Sequence, residues 1–233
     1  MPSSLKNSGG RELKVRLKTA RGRTPSQKLW LERQLNDPYV REARRLGLRA
    51  RSAFKLMEID HRHRLLKPGQ TVVDLGAAPG SWSQVAASRT RAGEGRGRVI
   101  AIDMHHVEAI PGVTVFKQDF LDETAPGLLR EALAGKPADV VLSDLAAHAT
   151  GHRQTDHLRI VALCEAAFAF AGEVLKPGGA FLCKVLQGGT EAALLARLKR
   201  DFAAVKHVKP AASRSESAEL YVLATGFRGK QNP

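Results

Sequence analysis

Residues 71–82 of this chain read T-V-V-D-L-G-A-A-P-G-S-W. An apolar, β-branched run reaches an acid, passes through small residues and enters a helical pattern, which predicts a strand, a tight loop and a helix. Such a unit begins doubly wound α/β folds. Because Gly76 and Gly80 carry no Cβ, a ligand can approach the loop closely above the carboxyl end of the strand. An ordinary strand-to-helix turn without a ligand is the alternative at this point.

The positions of the glycines separate two kinds of cofactor loop. The dinucleotide fingerprint G-x-G-x-x-G requires glycine where this chain has Ala78 and Ser81, so a nicotinamide dehydrogenase is a weak alternative. An acid shortly before G-x-x-x-G resembles instead the cofactor loop of S-adenosylmethionine-dependent methyltransferases. We therefore assign Asp74, Gly76 and Gly80 to a cofactor loop.

The remainder of the chain repeats the alternation of strands and helices. Further strands are expected near 98–103, 113–116, 138–144, 180–185, 203–208 and 219–225. Helices are expected near 50–63, after Gly80, and near 124–134, 156–175 and 190–201, with a turn at 176–179. The last two strands should form an antiparallel hairpin at the edge of the sheet. We expect residues 1–27 to be a basic, disordered arm and residues 28–233 to be one domain, with a helical extension over 28–48 that Asp37-Pro38 interrupts.

Composition restricts the class of protein. With 233 residues and 43% hydrophobic content, the chain can build one substantial core. Cys164 and Cys183 lie in apolar segments, which favours buried packing and leaves no disulfide framework or zinc spacing. No apolar run reaches transmembrane length and no signal peptide is recognisable, so we expect a cytoplasmic protein with no membrane partner and no metal. Nothing indicates an obligate protein partner, and we expect a monomer.

The positive charge is concentrated near the N-terminus. Of a formal net charge of +14, residues 1–51 contribute 14 Lys and Arg against 4 Asp and Glu, whereas the remaining residues are nearly balanced. This asymmetry favours a polyanionic partner such as nucleic acid over a merely solubilising tail. The candidate RNA contacts beside the predicted cleft are Arg41, Arg44, Arg45, Arg49 and Arg51.

Acids stand near the carboxyl ends of four predicted strands, at Asp74, Asp103, Asp119 and Asp144. In an open α/β sheet these ends border the ligand crevice. Asp103 lies 23 residues after Gly80, a spacing at which an acid can accept hydrogen bonds from a ribose diol. Asp119 would accept from an adenine amino group. Helix capping is the alternative for any single aspartate, but four at one edge favour a cofactor site.

Two lysines occupy unusual positions. Lys55 precedes the first predicted strand, and Lys184 interrupts the apolar run A-F-L-C-K-V. A buried ammonium needs a carboxylate partner, for which Asp144 and Glu219 are candidates. The alternative is that Lys184 marks a strand end and extends its ammonium to water.

Five segments occur in the order found in one enzyme family. They are R-S-A-F-K-L (51–56), V-V-D-L-G-A-A-P-G-S-W-S-Q (72–84), L-S-D-L-A (142–146), F-L-C-K-V-L-Q-G (181–188) and S-R-S-E-S-A-E-L-Y-V-L-A-T-G (213–226). From about residue 28 to its end, the chain resembles the RlmE/FtsJ (RrmJ) family of ribosomal RNA 2′-O-methyltransferases. The resemblance implies a Rossmann-like class I S-adenosylmethionine-dependent methyltransferase fold, with a seven-stranded, mostly parallel sheet, one antiparallel edge strand and helices on both faces.

The resemblance also implies a site and a substrate. The family's catalytic tetrad falls on Lys55, Asp144, Lys184 and Glu219, and its cofactor contacts fall on Gly80, Trp82, Asp103, Asp119 and Asp144. The implied reaction is S-adenosylmethionine-dependent methylation of a uridine 2′-hydroxyl in 23S rRNA of the large ribosomal subunit. Two departures from the family pattern are Leu145-Ala146-Ala147-His148 after Asp144, where relatives have Met-Ala-Pro-Asn, and Ser81 where relatives have glycine.

Other chemistries fit the sequence less well. Base N-methylation is disfavoured because no D/N-P-P-Y/F motif follows the fourth strand, and C5-methylation needs a nucleophilic cysteine in a loop. A non-catalytic RNA-binding module would not need the complete tetrad. Lys184 either removes the proton of the ribose hydroxyl or remains charged to orient it, and the sequence leaves both roles open.

Overall fold

The computed structural model of the protein describes residue 22 and residues 24–147, 150–187 and 192–229. Its strands are β1 (Thr71–Leu75), β2 (Arg98–Asp103), β3 (Val113–Lys117), β4 (Ala138–Ser143), β5 (Leu175–Leu186), β6 (Phe202–Val208) and β7 (Glu219–Phe227). Its helices are α1 (Pro25–Asn36), α2 (Pro38–Arg45), α3 (Ser52–His63), α4 (Ser81–Thr90), α5 (Ala125–Leu133), α6 (Arg153–Val174) and α7 (Ala192–Asp201), with a 3₁₀ turn over Ala92–Glu94.

The strands form one mixed sheet in the order β3-β2-β1-β4-β5-β7-β6. The pairings among β1 to β5 are parallel, whereas β7 runs antiparallel to both β5 and β6. The predicted seven-stranded, mostly parallel sheet is confirmed. Its antiparallel strand lies one position inside the edge, because the hairpin places β6 outermost.

Apolar side chains cover both faces of the sheet. Along β1 the side chains alternate, so that Val73 and Leu75 face one core and Val72 faces the other. The first core lies beneath α5, α6 and α7 and contains Cys164 and Cys183, both buried as predicted. The second lies beneath α3 and α4. Burial on both faces explains why the central strands are continuous apolar runs.

The parallel register brings functional residues to one edge of the sheet. Ser143, the last residue of β4, lies opposite Leu75 of β1 and Cys183 of β5. The residues that follow Ser143 and Cys183 in the chain, Asp144 and Lys184, are therefore neighbours at the carboxyl edge. This edge is where open α/β sheets bind their ligands.

The helical extension begins earlier than predicted. Thr24 caps α1 through a capping box with Gln27, and Pro25 occupies the first helical turn, so the helix starts at residue 25 rather than 28. Asp37 ends α1 and caps α2 by accepting a hydrogen bond of 3.0 Å from the Tyr39 amide. The predicted disordered arm falls mostly on residues 1–21 and 23, which lie outside the described residues.

The predicted turn at 176–179 belongs to β5. This strand begins at Leu175, which pairs with Ala138, and the register then shifts so that Val140 pairs with Ala180. Gly178 has φ +81°, a conformation that glycine adopts without steric cost. The segment therefore forms an irregular start of the strand rather than a separate turn.

Helix α6 is the longest described helix, with 22 residues. It carries charged residues along its length, including Asp156, Arg159 and Glu165. Within the described part of the chain, no helix combines the length and apolar character needed to cross a bilayer.

Candidate active site

The loop after β1 has the backbone geometry that its glycines predict. Gly76 has φ +77°, and a Cβ at this position would lie 2.8 Å from the Leu145 backbone nitrogen. Gly80 has φ +104° and precedes the first turn of α4. A Cβ on Gly80 would approach the Arg49 guanidinium to 2.5 Å. A side chain at Gly76 would clash with the loop that follows β4, and a side chain at Gly80 would clash with Arg49.

A cleft of about 690 Å³ opens above the carboxyl edge of the sheet, between the loops that follow β1 to β4 and helix α6. Four of the predicted cofactor residues line it: Gly76, Asp103, Asp119 and Asp144. Apolar side chains form much of the remaining wall, including Met104, Phe120, Leu121 and Leu145. The cleft therefore combines carboxylate acceptors with apolar surfaces.

Backbone hydrogen bonds hold two of these carboxylates in place. Asp103 accepts hydrogen bonds from the Ala78 amide at 2.9 Å and from the His105 amide at 2.7 Å. Asp119 accepts from the Leu121 amide at 2.9 Å and remains exposed. Each carboxylate oxygen has further acceptor capacity. Ribose hydroxyls and an exocyclic amine supply the matching donors, and the apolar wall suits a purine, so an adenosine group fits the cleft.

Trp82 does not line the cleft. Its side chain is 2% exposed, its indole nitrogen donates to the Ser52 carbonyl at 2.9 Å, and its ring lies 5.5 Å from that of Tyr221. Trp82 thereby fixes α4 against the N-terminal end of α3, the helix that carries Lys55. Gly80 also lies outside the cleft lining, so cofactor contacts by these two residues stay predictions.

Asp74 lies within β1 rather than at its end, and it is completely buried. The Ser83 hydroxyl donates to its Oδ2 at 2.6 Å, whereas Oδ1 has no hydrogen-bond partner among the described residues. Burial raises the pKa of Asp74 to about 7, against the effect of Ser83, and the charges of Asp144 and Asp103 add to the increase. Asp74 supports the cofactor loop from beneath and makes no direct contribution to the cleft lining.

The four predicted tetrad residues meet although they come from four separate segments. Lys184 Nζ lies 2.7 Å from Asp144 Oδ1 and donates to the Asp144 carbonyl oxygen at 2.8 Å. Lys55, from α3, pairs with Glu219 at the start of β7. The side chains of Lys184 and Lys55 are each only 12% exposed. Their amino groups therefore depend on carboxylate partners, because little water can reach them.

Tyr221 joins the two ion pairs, a role that was not predicted from the sequence. Its hydroxyl lies 3.0 Å from Asp144 Oδ1 and 2.5 Å from Glu219 Oε1. Residues two apart on a strand face the same side, so the position of Tyr221 two residues after Glu219 was a signal that could have found it. Burial, together with the charges of Asp144 and Glu219, holds the pKa of Tyr221 well above its usual value. The hydroxyl therefore remains a proton donor to the carboxylates.

Neighbouring charges keep Lys184 and Glu219 ionised despite their burial. Burial acts to lower the pKa of Lys184, but the charges of Asp144 and Glu219 outweigh it and raise that pKa above its usual value. Burial acts to raise the pKa of Glu219, but the charges of Lys55 and Lys184 outweigh it and lower that pKa. At neutral pH the site therefore contains an ammonium at Lys184 and a carboxylate at Glu219.

Replacing Tyr221 with phenylalanine should lower kcat about three- to thirtyfold, because Asp144 and Glu219 lose the single hydroxyl proton that they share, and a hydrogen bond to a carboxylate contributes ~1 kcal/mol or more. Removing a donor also raises carboxylate pKa values, so the acidic limb of the pH–rate profile should move to higher pH. Tyr39→Phe, away from the tetrad, is the matched control. An unchanged profile for Tyr221→Phe would assign Tyr221 to packing against Trp82 alone.

Two of the predicted RNA-contacting arginines bind groups that are distant in the chain. Arg49 donates to the carbonyl oxygens of Pro79, Glu108 and Ala109 at 2.8–3.0 Å, and so ties together two loops beside the cleft. Arg51 pairs with Asp37 at 2.8 Å and also donates to the Ala212 carbonyl. We assign structural roles to both.

The other three predicted RNA contacts, Arg41, Arg44 and Arg45, are exposed on α2. Arg45 forms an ion pair with Glu42, one turn away on the same helix. RNA contact by these three arginines stays a prediction.

Comparison with known proteins assigns the chain to one family. The FtsJ-like methyltransferase family matches residues 48–227. A ribosomal RNA large subunit methyltransferase E from Xanthobacter autotrophicus is 60% identical over 99% of this chain and 90% of its own length. One from Nitrobacter winogradskyi is 62% identical over 96% of each chain.

A solved structure shows the same relationship. The crystal structure of a Plasmodium falciparum protein designated as a ribosomal RNA methyltransferase has a TM-score of 0.70 and 30% identity, and covers 78% of this chain and 100% of its own. The similarity to this protein therefore includes the fold as well as the sequence. By its motifs, its fold and its sequence identity to these relatives, the chain belongs to the FtsJ-like methyltransferase family.

Proposed function

We propose that this protein methylates the 2′-hydroxyl of a uridine ribose in 23S rRNA, as part of its activity on the RNA of the large ribosomal subunit. The observation that carries the proposal is the paired arrangement of Lys184 with Asp144 and Lys55 with Glu219 beside a cleft suited to adenosine. The match to large-subunit RNA methyltransferases over nearly the whole chain supports the substrate class. With ribosomal RNA as the proposed substrate, we also propose a cytoplasmic location for the protein.

The methyl donor is S-adenosylmethionine, whose sulfonium supplies an electrophilic methyl group. The residues that would hold it are those of the cleft. Asp103 would accept hydrogen bonds from the ribose hydroxyls, and Asp119 would accept from the adenine amine. Asp144 lies where the cleft meets the tetrad, and its negative charge suits a cationic cofactor.

Positioning accounts for much of the proposed catalysis, because methyl transfer requires the nucleophile in line with the bond that breaks. A protonated 2′-hydroxyl is a poor nucleophile. The raised pKa of Lys184 favours the second of its two possible roles, that of a cation that orients the hydroxyl oxygen and stabilises negative charge as its proton leaves. A charged ammonium accepts no proton itself, so in this role of Lys184 the proton of the hydroxyl would pass to solvent water.

The decisive experiment is incubation with radiolabelled S-adenosylmethionine and one of four substrates: large ribosomal subunits from cells that lack the enzyme, free 23S rRNA, small subunits, or tRNA. Digestion to nucleosides should release the label as 2′-O-methyluridine from the large-subunit samples. Label on a base, or on small-subunit RNA or tRNA alone, would refute the proposal. The Lys184→Ala protein serves as the blank.

The basic N-terminal segment should contribute sequence-independent phosphate contacts. Residues 1–21 contain six Lys and Arg and one Glu, and their removal leaves the Thr24 cap of α1 intact. The truncated protein should bind large subunits more weakly, and the slope of log affinity against log salt should fall by about 0.7–0.9 for each phosphate that the protein no longer neutralises. The rate at saturating substrate should not change, because every tetrad residue is still present. A full-length salt slope in the truncated protein would make the segment a passive tail.

A further inference from the structure

The tetrad lies between two clefts. Asp144 lines the cofactor cleft described above, whereas Lys55 and Glu219 line a second cleft of about 420 Å³. The second cleft, which we name the acceptor cleft, is formed by α1, the start of α3 and the segment before β7, with Arg33, Arg51, Arg214 and Glu216 in its wall.

Charge distinguishes the acceptor cleft from the cofactor cleft. Four cations line it, Arg33, Arg51, Lys55 and Arg214, against the two carboxylates of Glu216 and Glu219. The surplus is positive, whereas the cofactor cleft is lined by three aspartates against one arginine, Arg159, and its surplus is negative. An anion is thus favoured on one side of the tetrad and a cation on the other.

The arginines of the acceptor cleft are held by a buried acid. Asp37 is 8% exposed and contacts both Arg51 at 2.8 Å and Arg214 at 3.3 Å. The contact with Asp37 uses one guanidinium nitrogen of Arg214, and a guanidinium has five N–H donors. Arg33 is exposed on α1. The cleft wall therefore presents one guanidinium held by Asp37, at Arg214, and one exposed guanidinium, at Arg33, and planar guanidinium groups match phosphate geometry.

We propose that the acceptor cleft binds the RNA strand beside the target nucleotide, and that Arg33 and Arg214 contact a phosphodiester flanking the methylated ribose. The proposal rests on the function proposed above. In-line transfer requires donor and nucleophile to approach the methyl carbon from opposite sides. Asp144 lines the cofactor cleft, whereas Lys55 and Glu219 line the acceptor cleft, so the tetrad borders both. Arg51 holds the wall of the cleft together, and Arg33 and Arg214 supply the phosphate contacts.

The test compares Arg33→Gln and Arg214→Gln with Arg96→Gln, an exposed arginine in the turn before β2 that lines neither cleft. With large ribosomal subunits from cells lacking the enzyme, each cleft variant should bind about five- to twentyfold more weakly, and the salt slope should fall by about 0.7. Affinity for S-adenosylmethionine should not change. Arg214→Lys should recover part of the binding because it keeps the charge.

Glu216→Gln gives a result of opposite sign. Removing a carboxylate from the wall should strengthen binding to the same subunits about two- to fivefold. Unchanged or weaker binding for Glu216→Gln, or effects of Arg33→Gln no larger than those of Arg96→Gln, would overturn the proposal. If the Arg214→Gln protein is unstable, Arg33→Gln alone tests the proposal, because that substitution leaves the contacts of Asp37 intact.

Binding measurements separate this proposal from the proposed function. If the wild-type protein labels a nucleoside other than 2′-O-methyluridine, the ribose assignment fails, whatever the variants do. If 2′-O-methyluridine forms but the arginine variants bind large subunits normally, only the proposal that the acceptor cleft binds RNA fails.

Discussion

Lys184→Ala should leave a folded protein that binds S-adenosylmethionine and whose methyl transfer is slower by about 10²–10⁴-fold. The expected decrease in rate is large because the substitution removes the ammonium that contacts Asp144 and that we propose orients the nucleophile. Single-turnover kinetics on large ribosomal subunits would measure the decrease directly. Saturating both substrates assigns the decrease to the chemical step rather than to binding.

Stability needs its own measurement for this variant. Asp144 loses an ion pair in a nearly buried site, although the Tyr221 hydroxyl still donates to it. Some decrease in Tm is therefore expected, and circular dichroism at the assay temperature must show a native fold. Lys206→Ala, an exposed lysine on β6, is the matched control. Near-normal turnover by a stable Lys184→Ala protein would show that Lys184 has only a structural role.

Asp103→Ala should weaken S-adenosylmethionine binding by ~1–3 kcal/mol, about five- to 150-fold in Kd, because two carboxylate acceptors for the ribose hydroxyls are removed. Isothermal titration calorimetry with the cofactor alone measures this without RNA. The carboxylate also accepts amide hydrogen bonds from Ala78 and His105, so part of the decrease in affinity arises from a less ordered loop.

Asp122→Ala separates those two contributions. Asp122 also caps a loop, at Thr124, but does not line the cofactor cleft. Its replacement should leave Kd within about twofold, because an exposed side chain outside the cleft has little effect on binding there. Asp103→Asn, which keeps the volume and one acceptor oxygen, should bind with intermediate affinity. Unchanged cofactor affinity in Asp103→Ala would exclude Asp103 from the site.

Local sequence was sufficient to predict the strands and helices, and also the edge of the sheet that carries the candidate site. Apolar runs that end near acids, separated by helical patterns, predict parallel strands, and parallel strands have their carboxyl ends at one edge. Asp103 and Asp144 were placed at that edge correctly on these grounds alone. Asp74 was not, because a single strand pattern does not show whether an acid lies one residue inside a completely buried strand.

Long-range packing decided how individual side chains are used. Trp82 belongs to a core with Tyr221, and Arg49 and Arg51 bind carbonyl oxygens of loops 30 to 161 residues away in the chain. Composition reports that an arginine is present but not which acceptors lie within 3 Å of it. The same holds for Tyr221, whose role depends on the separation of two carboxylates from different segments.

The sequence by itself therefore determined the α/β fold, the order of its strands along the chain and the identity of the residues at their ends, because periodicity and turn chemistry are local properties. Only the tertiary structure decided that Lys184 is held as a cation and that the tetrad separates an acidic cleft from an arginine-lined one. The physical reason is that pKa values and cleft charge depend on burial and on distances between groups remote in sequence, and both arise only when the sheet and the N-terminal helices pack together.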